Sequence, residues 1–234
     1  MAQQERAIRT RRVILEAAAA VFDELGYEAA TISEILERAG VTKGAFYFHF
    51  RSKEDMARGV LGEAVTTEGV LPQEIKLQEV LDMMMLMAHR LPREPMFSAA
   101  LRLAVDRNSR SMFGTRWPDW TDLLASLLGE AKARGEVHPY IEETGTARLL
   151  LSAWTGVRVV SEGLPGEYDL PTEVAALLQL MLPSIAVPTV LPRLEISTDR
   201  AARLFAMKDE DDMAGKGDPE GVGGTPVSAV AQHP

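Results

Sequence analysis

The stretch that decides the fold is Thr31-Ile32-Ser33-Glu34-Ile35-Leu36-Glu37-Arg38-Ala39-Gly40-Val41-Thr42-Lys43-Gly44-Ala45-Phe46-Tyr47-Phe48-His49-Phe50. Thr31 with Glu34 three residues on is a capping box, and Ile32, Ile35 and Leu36 give the short helix that follows a buried side. Ala39-Gly40-Val41 makes a turn, and Thr42 stands where it caps a third helix beginning at Lys43. Two short helices joined by a tight glycine-containing turn form a helix-turn-helix.

Working outward, residues 7–25 place Val13, Ile14, Ala17, Ala18, Val21, Phe22 and Leu25 at three- and four-residue spacings, one apolar helix face that Gly26 ends. A fourth helix starts near Ser52, with Glu54 and Asp55 in its positive first turn, and runs to about Val65. Longer helices are expected over 74–91, 95–107, 116–134, 142–163, 171–182 and 187–207, punctuated by Pro92, Pro95, Gly114, Gly135, Gly163, Pro171 and Pro183. No alternating strand pattern and no internal repeat occurs, so the fold class is all-α: a three-helix N-terminal unit and a larger helical C-terminal one. From Lys208 the chain is rich in Gly, Asp and Pro and lacks aromatic residues; it is expected to be a disordered acidic tail.

The 234 residues suffice for one large domain or two small ones, and 46% are hydrophobic against 25% charged, an ordinary globular balance. There is no Cys, which removes disulfides, thiolate metal sites and Cys nucleophiles and fits a cytoplasmic location. No apolar run is long enough to span a membrane, and the basic N-terminus has no apolar core of a signal peptide behind it. The net charge of −9 argues against a nucleic-acid partner only until it is mapped. Residues 1–58 hold nine cations and nine acids, and the acidic excess falls behind them. Arg6, Arg9, Arg11 and Arg12 cluster at the start, and Lys43, Arg51 and Lys53 lie in an acid-free run from Gly40 to Lys53. Local clusters decide whether a surface can approach phosphates.

In a helix-turn-helix the second helix enters the major groove by its N-terminal end. That end carries Thr42 and Lys43, followed by Gly44 and Ala45, which are small enough for close backbone approach. Phe48 and Phe50 are assigned to the core, with Phe46 left open. Tyr47 and His49 are expected to face outward as donors to phosphate. Thr31 and Lys53 start flanking helices whose free N–H groups bind phosphate.

With these residues in view, positions 8–68 resemble the DNA-binding domain of TetR-type transcriptional regulators, through Phe22-Asp23-Glu24-Leu25-Gly26-Tyr27, Thr31-Ile32-Ser33-Glu34-Ile35 and Gly40 to Phe50. More narrowly the chain is similar to the gamma-butyrolactone receptor branch. The opening Glu5-Arg6-Ala7-Ile8-Arg9-Thr10-Arg11, the Tyr47-Phe48-His49-Phe50 run, and Trp120 ahead of Gly135-Glu136-Val137-His138-Pro139 carry that finer likeness. Trp154 to Ser161 and Leu182 to Pro188 are also similar. The resemblance implies a DNA-binding domain over 8–68 and a ligand-binding, dimerising domain over 74–207. It further implies a homodimeric repressor of double-stranded operator DNA, released by a small diffusible lactone, with no cofactor and no membrane partner. A drug-sensing regulator of an efflux pump is the alternative, as is an antibiotic-binding relative of the receptors.

The resemblance puts Trp120 on an apolar ligand pocket. Met83, Met84, Met85, Met87, Met96 and Phe97 are soft apolar residues that suit either a pocket or a core; Met84, Met87 and Val159 are taken as pocket candidates. Thr155, within an apolar run, could bond a ligand carbonyl or the carbonyl four residues back in its own helix. Trp117 and Trp154 fit pocket and packing alike. His49, His89, His138 and His233 make no metal-ligand pair, and the chain has no nucleophile elbow, dinucleotide fingerprint or phosphate loop, so neither a metal site nor an enzyme is expected.

Overall fold

The computed structural model describes residues 2–63, 70–164, 166 and 168–214, and among these it contains eleven α-helices. Four make the front of the molecule: α1 (Ala2–Ala29), α2 (Ile32–Ala39), α3 (Lys43–His49) and α4 (Lys53–Gly62). Gly26 interrupts α1 as expected, at φ 79°, a left-handed value that only glycine adopts without strain. Behind them come α5 (Lys76–Arg90), α6 (Pro95–Val105), α7 (Arg107–Phe113), α8 (Trp117–Ala133), α9 (Glu143–Gly163), α10 (Leu170–Met181) and α11 (Thr198–Ala214).

Three expectations need correction. The segment 95–107 does not stop at one helix. Asp106 leaves the helical region (φ −60°, ψ 130°) and its carboxylate accepts from the Ser109 N–H at 2.7 Å, so it caps α7. That bond from the Ser109 N–H holds the Asp106 carboxyl below the usual range. The segment 187–207 is not one helix either. Pro188 and Pro192 leave only a short 3-10 turn at Leu191–Arg193 before α11 begins at Thr198. Finally, α11 runs on to Ala214, so the first residues assigned to the tail are helical; 215–234 lie outside the described residues.

Two apolar cores form. The front core gathers Ile14, Ala18 and Phe22 of α1, Ile35 of α2, Phe46, Phe50, and Met56 and Val60 of α4. It also takes Ala99, Ala100, Leu103 and Ala104 from α6. The back core surrounds α5, which is buried on nearly every side, with Trp120, Leu124, Leu151, Trp154 and Leu178 from the neighbouring helices. Phe97 and Leu101 of α6 belong to that core. Helix α6 is therefore common to both, so the front and back helices are not separate in packing.

Polar bonds lock the back helices. Asp82, fully buried in α5, takes two bonds from Arg200 of α11 at 2.6 and 2.8 Å and one from Gln78 at 2.8 Å. Glu136, also buried, accepts from the Leu77 N–H at 2.7 Å and satisfies the start of α5. An isolated antiparallel bridge, Val137 to Ala186, ties the turn after α8 to the end of α10.

Candidate nucleic-acid interface and ligand site

The helix-turn-helix forms as its capping residues dictate. Thr31 and Glu34 make the reciprocal capping box. Gly40 ends α2 at φ 63°, and its N–H donates to Glu37. Thr42 Oγ1 accepts from the Ala45 N–H at 3.3 Å and starts α3. Arg38 clasps Glu24 with two bonds of 2.7 and 2.8 Å, which fixes α2 against α1 and holds the Glu24 carboxyl below its usual range.

Along α3 the structure exposes Thr42, Lys43, Gly44 and Tyr47, half-buries Ala45 and His49, and buries Phe46. Phe48 is a correction: it is 78% exposed, the largest apolar side chain presented by the helix. At 100° per residue Phe48 lies opposite Phe46, and Phe50 reaches the core only because it has left the helix at φ −137°. Grouping Phe48 with Phe50 followed a period of two where the helix imposes 3.6.

Lys53 is placed differently from expectation as well. Its ammonium donates to the carbonyls of Tyr27 and Ala30, each at 2.8 Å, and sits 4.3 Å over the Tyr27 ring. The side chain thus closes the open end of α1 and turns away from solvent; only its backbone stands at the start of α4. Arg51, counted in the basic cluster but given no role there, is exposed, and its guanidinium has no partner among the described residues. A charged residue in the acid-free run between α3 and α4 was the signal that could have found it.

The back of the molecule contains a cleft of about 370 Å³ between α6, α7, α8 and α9. Ala104, Val105, Trp117 and Leu151 give it apolar walls. Thr121, Ser152 and Thr155 add hydroxyls, and Arg110 and Arg148 complete the lining. Thr155 Oγ1 donates to the Leu151 carbonyl at 2.7 Å, the bond within its own helix, while the residue still lines the cleft. The other ligand candidates lie elsewhere. Trp120 is 1% exposed and meets Phe97 edge-on at 6.3 Å; it borders only a gap of about 10 Å³. Met84 and Met87 are inside the back core, where Trp154 Nε1 donates to the Met84 carbonyl at 3.1 Å. Val159 is exposed on α9 and does not line the cleft. Trp117, left open between pocket and packing, does both: it lines the cleft and packs against both cores.

The cleft and the reading helix are mechanically joined. Ser98 of α6 donates to Asp23 at 2.6 Å, and Arg102 donates to the Asp23 carbonyl. Arg58 of α4 donates to the Met112 carbonyl of α7 at 2.9 Å, and the Phe113 ring packs on Tyr27. No helix among the described residues is long and apolar enough to cross a membrane.

A helix-turn-helix front on an all-helical back with a lined cleft defines a ligand-responsive DNA-binding regulator, and comparison with known proteins places it. Residues 14–60 match the family of bacterial regulatory proteins of the TetR type, and residues 75–188 match the tetracyclin-repressor-like C-terminal domain. The chain is 38% identical over 228 residues to the A-factor receptor protein of Streptomyces griseus, covering 95% of this chain and 82% of that one. The crystal structure of native TylP, a TetR regulator from Streptomyces fradiae, superposes with a TM-score of 0.78 at 39% identity, covering 87% of this chain and 99% of that one. A gamma-butyrolactone receptor described as ArpA-like gives a TM-score of 0.60 at 30% identity, over 88% of this chain and 98% of its own. The chain belongs to the TetR family, in its gamma-butyrolactone receptor branch.

Proposed function

We propose that this chain is a cytoplasmic, homodimeric repressor that leaves a palindromic operator when a small diffusible signal binds its back domain. Its targets on this reading are antibiotic or other secondary-metabolite genes. The observation that carries the reading is the physical continuity from cleft to DNA-reading helix: α6 and α7 line the one and bond to α1 and α4, which frame the other. A ligand that binds better to one arrangement of α6 and α7 shifts the spacing of two reading helices by its differential affinity. Those helices must lie about one turn of DNA apart, roughly 34–36 Å, to read a palindrome.

On the DNA side, Lys43 reads a base edge, Thr42, Tyr47, His49 and Arg51 contact phosphate, and Gly44 and Ala45 admit the backbone. The N-terminal backbone groups at Lys53 bind phosphate, whereas the N–H and hydroxyl of Thr31, a candidate for the same role, are already spent on Glu34. Exposed Phe48 meets an apolar base surface such as a thymine methyl. Dimerisation uses the outer faces of α9 and α10. Leu149 and Val160 are 65% and 52% exposed on α9, Leu180 is 79% exposed on α10, and Gly156 lies on the same α9 face as Leu149. Such an apolar surface on a soluble chain marks an interface. The signal is of the lactone type that the names of the relatives indicate, held near Trp117 and Thr155 with Trp120 behind them.

The test is a mobility shift on the DNA upstream of the gene for this protein, with and without organic extract of the producing culture. Retarded DNA that the extract releases supports the reading. No preference for that DNA over random sequence overturns it.

A further inference from the structure

We propose that the cleft between α6, α7, α8 and α9, beside its place for the lactone-type signal, also binds an amphiphilic carboxylate, an acidic metabolite with an apolar body, through Arg110 and Arg148. For its regulatory consequence this rests on the repressor reading above, but the binding itself does not.

The argument starts from charge accounting. Acids outnumber cations 34 to 25 in this chain, and several surface arginines, Arg38, Arg58, Arg193 and Arg203 among them, sit in ion pairs, while others such as Arg51 and Arg107 do not among the described residues. The guanidinium groups of Arg110 and Arg148 have neither an ion pair nor a hydrogen bond among the described residues, and no carboxylate lines the cleft they share. Two cations brought to one cavity without a counter-charge repel each other, and an anion between them relieves that repulsion.

Hydrogen-bonding capacity narrows the ligand class. Thr121 and Thr155 spend their hydroxyl protons on the carbonyls of Trp117 and Leu151, at 2.8 and 2.7 Å. The donors left to a ligand are the two guanidinium groups, Ser152 and the indole N–H of Trp117. A guanidinium fork fits a group that only accepts, and a carboxylate matches it in shape and charge. Val105, Trp117 and Leu151 offer the apolar wall that a bare inorganic anion could not use. The cleft volume of about 370 Å³ lies within the range of small-molecule sites.

The two arginines stand on different helices. Arg110 is on α7, whose next residues include Met112, bonded to Arg58, and Phe113, packed on Tyr27; Arg148 is on α9. A carboxylate held by both braces α7 against α9, and so acts on the same elements that seat the DNA-reading helix.

Isothermal titration calorimetry of the full chain tests this with octanoate and decanoate against octanamide and decanamide, which keep the apolar body and lose the charge. The expected result is saturable binding of the acids, at least about tenfold tighter than the amides. The double variant Arg110→Gln/Arg148→Gln should lose about that factor for the acids, bind the amides as before, and melt as wild type does. Arg107→Gln, a neighbour on α7 outside the cleft, should change nothing. Equal affinity for acid and amide, no binding of any acid, or full retention by the double variant overturns the proposal. Operator retardation, measured on the same preparation, separates the two readings. Acid binding without operator binding sinks the repressor reading and leaves the cleft assignment standing; operator binding without acid binding does the reverse.

Discussion

The ring of Tyr27, at the end of α1, meets the edge of Phe113, at the end of α7, with centroids 4.7 Å apart and planes at 73°. Tyr27 also carries the Lys53 ammonium on its face, and Lys53 begins the helix that follows the reading helix. One aromatic contact thus stands between the element that lines the cleft and the element that seats α3. Phe113→Ala is expected to leave operator affinity within a few-fold of wild type while raising the signal concentration needed for half release. An aromatic pair contributes about 0.5–1.5 kcal/mol beyond burial, which corresponds to a shift of up to about tenfold. Mobility shifts across a titration of inducing extract measure both quantities on one gel.

Lys53 and Arg51 should part company in salt titrations of operator binding. Lys53→Met removes the bonds that close α1, so it should cost about 1–3 kcal/mol of stability and leave the salt slope unchanged. Arg51→Ala should melt normally and flatten the slope by about one unit. Lys43→Ala should cost about 1–3 kcal/mol of operator affinity and relax sequence preference. A flattened slope in the Lys53 variant would return its charge to the DNA.

Trp120→Ala is expected to act on folding. The side chain is almost wholly buried against Phe97 in the back core, so truncation should cost about 3–5 kcal/mol and lower folded protein and DNA binding together. Trp117→Ala, on a side chain that still touches solvent, should lose less stability and more of the response to ligand. If the Trp120 variant melts as wild type does and only its induction fails, the pocket must extend to that indole.

Acid should weaken the back domain through His89. Burial, reinforced by the positive charge of Arg93, holds its pKa below the ordinary 6.5. The folded state therefore binds the proton less readily than the unfolded chain. His89 contributes stability that is full above about pH 6.5 and is lost as pH falls through the lower folded value. In His89→Gln that part of the acid-side loss should vanish, which melting temperatures across the pH range would show.

Leu180→Glu should yield monomers. It places a charge in the middle of the proposed dimer face, yet the residue is too exposed to be part of the core. Sedimentation should report half the wild-type mass, with operator affinity falling sharply because one reading helix alone cannot span a palindrome. A dimeric variant would move the interface elsewhere.

What was legible in the sequence was what short-range chemistry governs. Thr31 with Glu34, Gly40 and Thr42 set their local geometry through bonds to residues three or four positions away, and the helix-turn-helix follows from them alone. Side-chain direction at a helix end was not legible. Phe48 and Phe50 are two residues apart, and only the departure of Phe50 from the helix separates solvent from core. Lys53 turned inward because carbonyls 23 and 26 residues earlier lay open beside it, a partner no local pattern records. The cleft was harder still, since Arg110 and Arg148 line it from separate helices, α7 and α9, far apart in the chain. Asp106 hid the break that creates α7 by serving at once as the last residue of one helical pattern and the cap of the next.

Helix α6 has a consequence for anyone recombining such proteins. The front four helices rest on Ala99, Ala100, Leu103 and Ala104, so a fragment ending at residue 63 exposes the side of Phe22 and Val60 that α6 should cover. A chimaera joined near residue 70 would set a foreign α6 against this α1, with mismatched small residues and no counterpart for Ser98 or Arg102. The operator specificity of this chain can be transplanted only if residues 95–105 travel with it, which makes the heritable unit of DNA recognition discontinuous in sequence.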